Sequence, residues 1–121
     1  MEFKDSQPIY IQIADYFCEN ILLKKWKEGE KTPSVRQVAI TMEVNPNTAL
    51  RTFNYLQDMG IIYNKRGVGY FVSDNAYMKT LELKKEKFVN TDLPFLFKSI
   101  KMLNISFDEL NKLFLEYCKK N

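Results

Sequence analysis

Histidine is absent from the 121 residues. That removes the usual general base of neutral-pH catalysis, every histidine triad and every histidine metal site. The carboxylates do not fill the gap, because Asp and Glu are scattered and form no convincing pair. Cysteine is scarce: Cys18 and Cys118 lie far apart, without metal-ligand spacing, and are expected as buried free thiols. No catalysis, no metal and no cofactor are therefore expected. No apolar run reaches transmembrane length, and Met1-Glu2-Phe3-Lys4 does not open a signal peptide. The expectation is a soluble, cytoplasmic protein without a membrane partner. Net charge is also low, at +3, too little to prove nucleic-acid binding. Its distribution is more informative. Over residues 31–72, Lys31, Arg36, Arg51, Lys65 and Arg66 face only Glu43 and Asp58, so this stretch carries the whole +3 and the rest sums to zero.

That stretch also has the most legible local chemistry. Ser34 is an N-cap candidate with Gln37 at capping-box spacing, and Val35, Val38, Ala39 and Met42 form an apolar stripe behind it. Asn45 is a second N-cap candidate, with Pro46 at the first helical position. Ala49, Phe53, Leu56 and Met59 recur at helical spacing and are expected in the core. Gly60 fits the position after a helix end. Ile61–Tyr63 and Tyr70–Val72 are β-prone runs around Lys65-Arg66-Gly67, a hairpin pattern. Gly67-Val68-Gly69 lacks the following helix that a phosphate-binding loop requires, so a wing tip explains it better. Helix, turn, helix and hairpin in this order make a winged helix-turn-helix, whose second helix enters the major groove. Its outward residues are Asn47, Thr48, Leu50, Arg51 and Asn54. Asparagine suits adenine, arginine suits guanine, and threonine commonly holds phosphate.

Pro8-Ile9-Tyr10 with Gln12-Ile13, then Pro33-Ser34-Val35-Arg36, Asn45-Pro46-Asn47-Thr48 and Gly67-Val68-Gly69-Tyr70-Phe71-Val72 resemble the GntR family of bacterial transcription regulators. The Asn-Pro-Asn-Thr turn and the short chain resemble its YtrA-like subfamily. The resemblance covers residues 8–75 closely. The candidate DNA contacts are Ser34, Arg36, Asn45, Asn47, Thr48, Leu50, Arg51, Lys65, Arg66 and Gly67, and the resemblance implies that Arg36 is a base reader. Tyr10, in the family's Pro-x-Tyr-x-Gln signature, is open to a phosphate contact or a packing role. The chain departs from the pattern at Lys24 and Glu43, where relatives have Gly, and at Thr32, where they have Leu. Lys24 is expected to lengthen the first helix and Thr32 to loosen the entry to the second. Leu50 stands where a polar residue is expected, and could meet a thymine methyl or be partly buried.

Outside the motif, residues 1–7 read as an arm and Ile9, Ile13, Tyr16, Phe17 and Ile21 as the apolar face of a helix reaching about Lys25. Trp26–Thr32 is a connector. A long helix is expected from about Asn75 to Met102, with a break near Pro94, because the residue before proline avoids helical angles. Val89, Leu93, Leu96, Ile100 and Leu103 keep the 4-3-4-3 spacing of an interhelical seam, extended by Tyr77, Leu81 and Phe88. Ser106 and Glu109 form a capping-box pattern before a last helix that is expected to bury Leu110, Leu113, Phe114 and Tyr117, with Cys118 in the seam. So much apolar surface on a small helical appendage favours a dimerisation arm over packing back onto the first helix of the same chain.

The expected fold is mainly α with a small β-hairpin: a winged helix-turn-helix domain over residues 1–74, then a helical dimerisation region over 75–121. The expected function is a sequence-specific transcription regulator, a repressor by resemblance, acting as a homodimer on an inverted-repeat operator in double-stranded DNA. Two other readings compete: a winged-helix protein–protein module, and a small metabolite-binding protein with weak DNA affinity. For an unidentified effector, the aromatic group Phe88, Phe95 and Phe97 is the place considered, against a packing role.

Overall fold

A computed structural model describes residues 7–121, so the expected arm lies, apart from Gln7, outside the described residues. The elements are α1 (Ile9–Leu22), α2 (Val35–Met42), α3 (Pro46–Asp58), β1 (Ile62–Lys65), β2 (Gly69–Val72), α4 (Ala76–Lys87), α5 (Leu93–Met102) and α6 (Phe107–Lys120). The chain divides into two compact units, one running to Leu83 and one over Lys84–Asn121.

In the first unit α1 and α2 both pack on α3. The core gathers Ile13, Phe17 and Ile21 from α1, Val38 and Ala39 from α2, Ala49, Phe53 and Leu56 from α3, and Ile61, Ile62 and Val72 from the hairpin region. Phe17 meets Phe53 edge-on at 5.3 Å, and Phe53 meets Tyr70 at 4.7 Å. The fully buried Phe17 and Phe53 rings each contribute about 1.5–3 kcal/mol of transfer free energy, which makes α3 the hub of this unit. Both ends of α2 and the start of α3 follow from their caps. Ser34 Oγ accepts from the Gln37 N–H at 3.1 Å while Gln37 Oε1 accepts from the Ser34 N–H at 2.8 Å. Glu43 ends α2 in the left-handed region, φ 55°. Asn45 Oδ1 accepts from the Asn47 N–H at 2.8 Å.

β1 and β2 pair antiparallel with Ile62 opposite Val72 and Lys65 opposite Gly69. Ile62 and Val72 turn inward, while Tyr63 and Phe71 stack at 5.7 Å. The connector before α2 is not free. The Thr32 N–H donates to Tyr70 O, Val72 N–H to Glu30 O and Gly29 N–H to Val72 O, each at 2.9 Å, so residues 29–32 lie along β2 like a third strand. Thr32 is buried and its hydroxyl donates to Pro33 O at 2.9 Å, with Tyr70 O a further 3.3 Å contact. The hydroxyl thus anchors the entry to α2, where loosening was expected.

Other expectations are also corrected. α1 stops at Leu22, not near Lys25. Lys24 takes the left-handed conformation, φ 60°, and supplies the turn in place of glycine; the Lys25 and Trp26 N–H groups fold back onto Asn20 O. Ile9 and Tyr16 are exposed, and buried Gln12, Ala14, Cys18 and Asn20 complete the inward face. Met59 is 42% exposed. The positive φ of Gly60 turns the chain there, and Ile61 enters the core in its place. α4 begins within the first unit: Ala76 and Thr80 are buried, and Tyr77 and Leu83 pack on the core.

Between α4 and α5 the chain stays helical but widens into a π turn over Phe88–Asp92, where the Leu93 N–H reaches Phe88 O. Pro94 has no N–H to give, and its ring would clash with the carbonyl of Asn90 in a regular helix; the wider turn removes that conflict. In the second unit, Asn104 turns the chain with φ 56° and Ser106 Oγ caps α6 by accepting from the Glu109 N–H at 3.1 Å. Ile100 is buried, and Leu93, Ile105 and Leu110 are half-buried. α6 has no buried residue. Leu113, Phe114 and Tyr117 are exposed in the single chain, and so is Cys118. Among the described residues no helix is long and apolar enough to cross a membrane.

Candidate nucleic-acid interface

The helix-turn-helix sets its polar residues by capping. Ser34 and Asn45 are both N-caps, so their acceptor oxygens are already engaged with backbone N–H groups. Each also carries a donor, the Ser34 hydroxyl hydrogen and the Asn45 Nδ2 group. Donors are what a phosphate oxygen accepts from, and two capped helix starts are where such contacts gather. Arg36, in the first turn of α2, is exposed.

On α3 the inward residues Ala49, Thr52, Phe53 and Leu56 leave Asn47, Leu50, Arg51 and Asn54 exposed and Thr48 half-buried. Leu50 is 41% exposed, which leaves its methyl groups accessible for an apolar contact. Thr52 is fully buried and its hydroxyl donates to Tyr10 O at 2.8 Å, fixing α3 against the start of α1. That bond has a second effect. The Arg51 guanidinium carbon lies 4.2 Å from the Tyr10 ring centroid, a stacked cation–π contact. Tyr10 in turn meets Tyr55 edge-on at 6.3 Å. Tyr10, Arg51, Asn54, Tyr55 and Asp58 surround a shallow depression of about 270 Å³. Tyr10 therefore packs, and what it packs is the arginine of the outward face.

At the hairpin, Arg66, Gly67 and Val68 form the tip, closed by the Val68 N–H donating to Lys65 O at 2.9 Å. Gly67 has φ 78° with open space around it. Lys65, Arg66 and Gly67 are exposed, with Lys65 Nζ 5.9 Å from the Phe71 ring centroid. Sequence reasoning left Lys31 out of the site. The connector's pairing with β2 lays it beside the wing, and a Cβ at Gly69 would come within 2.8 Å of Lys31 Cε. The signal was present only in its charge, since the pairing of residues 29–32 has no turn motif or alternation to mark it.

No protein-family model matches the chain. Individual proteins do. An HTH-type transcriptional regulator of Bacillus subtilis, YhcF, is 36% identical over 109 residues, covering 90% of this chain and 88% of that one. The HTH-type transcriptional repressor YtrA of the same organism is 40% identical over 81 residues, covering 67% and 62%. Among solved structures, a GntR-family transcriptional regulator from Bacteroides thetaiotaomicron superposes with a TM-score of 0.76 at 40% identity, covering 93% of this chain and 98% of that one. AraR(DBD), solved in complex with operator ORR3, matches with a TM-score of 0.55 at 25% identity over 60% of this chain and 86% of that one. Fold and exposed site together define a winged helix-turn-helix protein of the DNA-binding class. The chain belongs to the GntR family of HTH-type transcriptional regulators and is YtrA-like within it.

Proposed function

We propose that this regulator is a repressor that binds an inverted-repeat operator as a homodimer. Arg36, Asn47 and Arg51 read base edges, with Leu50 against a thymine methyl. Ser34, Asn45 and Thr48 hold phosphates, and Lys65, Arg66 and Gly67 bring the wing to the backbone, flanked by Lys31. The observation that carries this reading is the α3 surface: a capped helix that keeps Asn47, Leu50, Arg51 and Asn54 exposed while its other side forms the core. Operator binding by AraR(DBD) and the repressor designation of YtrA support the partner and the sign of regulation.

Residues 1–74 carry the proposed DNA contacts, and 75–121, whose start of α4 packs on the first unit, carry the proposed dimerisation contacts, through Leu81, Phe88, Val89, Leu93, Leu96, Ile100, Leu103, Leu110, Phe114 and Tyr117. Apart from buried Ile100 and half-buried Leu93 and Leu110, these side chains are exposed in one chain. An apolar surface of that extent calls for a partner, and a second copy is the partner a symmetric operator requires. Selection of bound fragments from random DNA with the purified protein tests the whole reading. The expected product is a two-fold symmetric motif with half-sites about one helical turn apart. Recovery of unselected sequence, or of a lone half-site, would refute it.

A further inference from the structure

A second concave surface is lined by none of the residues assigned to DNA. Ile21, Lys24, Trp26, Lys27, Glu28 and Tyr77 line a cleft of about 450 Å³ in the first unit, within the size range of small-molecule sites. Its parts are held in place. Buried Ile21 belongs to the core. The Trp26 ring is fixed edge-on by Phe17 at 4.9 Å and by Tyr16 at 6.0 Å. Tyr77 sits on α4, packed against the same core. The left-handed turn at Lys24 aims its side chain across to α4, where Nζ lies 5.1 Å from the Tyr77 ring centroid.

The charges at this cleft are Lys24 and Lys27 against Glu28, one positive charge in excess. The aromatic walls offer ring faces and edges for stacking, and the Trp26 indole is a hydrogen-bond donor. A cleft lined by two lysines and two aromatic rings suits a ligand that is flat and acidic at once. A ring finds the aromatic walls, and a carboxylate or comparable group takes a charge-assisted hydrogen bond from lysine.

We propose that this cleft is a binding site for a small planar anion, an aromatic ring bearing one acidic group. The proposal does not depend on operator geometry or on the oligomeric state. Trp26 is the single tryptophan of the chain, so one indole N–H resonance in the heteronuclear NMR spectrum of the full-length protein reports on the site. The probes are naphthoate, the neutral naphthamide and inorganic phosphate. Naphthoate is expected to shift the indole resonance saturably and to bind about ten-fold more tightly than naphthamide, with phosphate alone producing no shift. Lys24→Gly keeps the left-handed turn at no steric cost and so preserves the fold; it and Lys27→Ala should each weaken naphthoate several-fold. The proposal is overturned by the absence of a saturable shift or by equal binding of acid and amide. It is equally overturned by a phosphate shift matching that of naphthoate, or by unchanged naphthoate binding in both variants.

Discussion

Arg36 is the residue on which the specificity argument turns. It is exposed in the first turn of α2 and matches the arginine of the Pro-Ser-x-Arg motif. Arg36→Ala should cost about 1–3 kcal/mol and relax preference at one symmetric base position. Binding to a panel of single-base operator variants checks it; an unchanged ranking and spacing of affinities would remove Arg36 from the readers. Arg51 differs, because Tyr10 holds its guanidinium 4.2 Å from the ring centroid. Stacking restricts a long side chain before DNA arrives, so part of its ordering cost is already met. Tyr10→Phe should bind operator like the parent. Tyr10→Ala should lose affinity, and a double-mutant cycle with Arg51→Ala should give a coupling of about 0.5–1 kcal/mol. Additive losses would mean that Tyr10 does not act through Arg51. Glu43 carries a different load, a left-handed backbone at φ 55° in the turn between α2 and α3. Glu43→Gly should stabilise the fold by about 0.5–1 kcal/mol in denaturant unfolding, the steric relief outweighing the added freedom of the unfolded chain.

Among the elements, the wing is the most directly testable. Lys65 and Arg66 lead into an exposed tip. Replacing both with Ala should weaken binding to all sequences alike and flatten the salt dependence by about one slope unit per lost phosphate contact. An unchanged slope would show that the wing stays off the backbone. The elements legible in the sequence were those that carry their own punctuation. Ser34 with Gln37, Asn45 with Pro46, and Gly60 mark the helix ends by local hydrogen bonding and backbone preference, and the helices and hairpin appear where those signals fall. Part of what the sequence hid depends on partners distant in the chain. Residues 29–32 lie along β2 because Tyr70 and Val72 offer backbone groups there, and nothing local announces it. Thr32 reads as a lost apolar contact until its hydroxyl is seen between Pro33 O and Tyr70 O. Lys24 and Glu43 adopt glycine's conformation without being glycine. The π turn before Pro94 is a further case: the proline signals a conflict, and only the backbone shows that widening resolves it.

At the scale of the whole molecule, the apolar residues fall into two populations. Those of the first unit close on one another around Phe17 and Phe53. Most of those of the second remain open: Phe95 is 73% exposed, Phe107 68%, Tyr117 63% and Phe114 59%. A helix pair this short buries too little to stand without cover. The proposed cover is the same region of a second chain, which would also place two recognition helices on one operator. The test belongs in the full-length protein, because a cut at residue 74 would strip Ala76 and Thr80 from the first unit's packing. Phe114→Lys is the better instrument. Phe114 is exposed on α6, so a lysine there leaves no cavity in the single chain, but it buries an unpaired charge in any interface that includes it. Sedimentation of the parent at micromolar concentration should give a dimer, and Phe114→Lys should shift it to monomer with an unchanged circular dichroism spectrum. The variant should then bind a two-half-site operator no more tightly than an isolated half-site. A variant that still sediments as a dimer, or that keeps the parent's preference for two half-sites, would place the interface elsewhere.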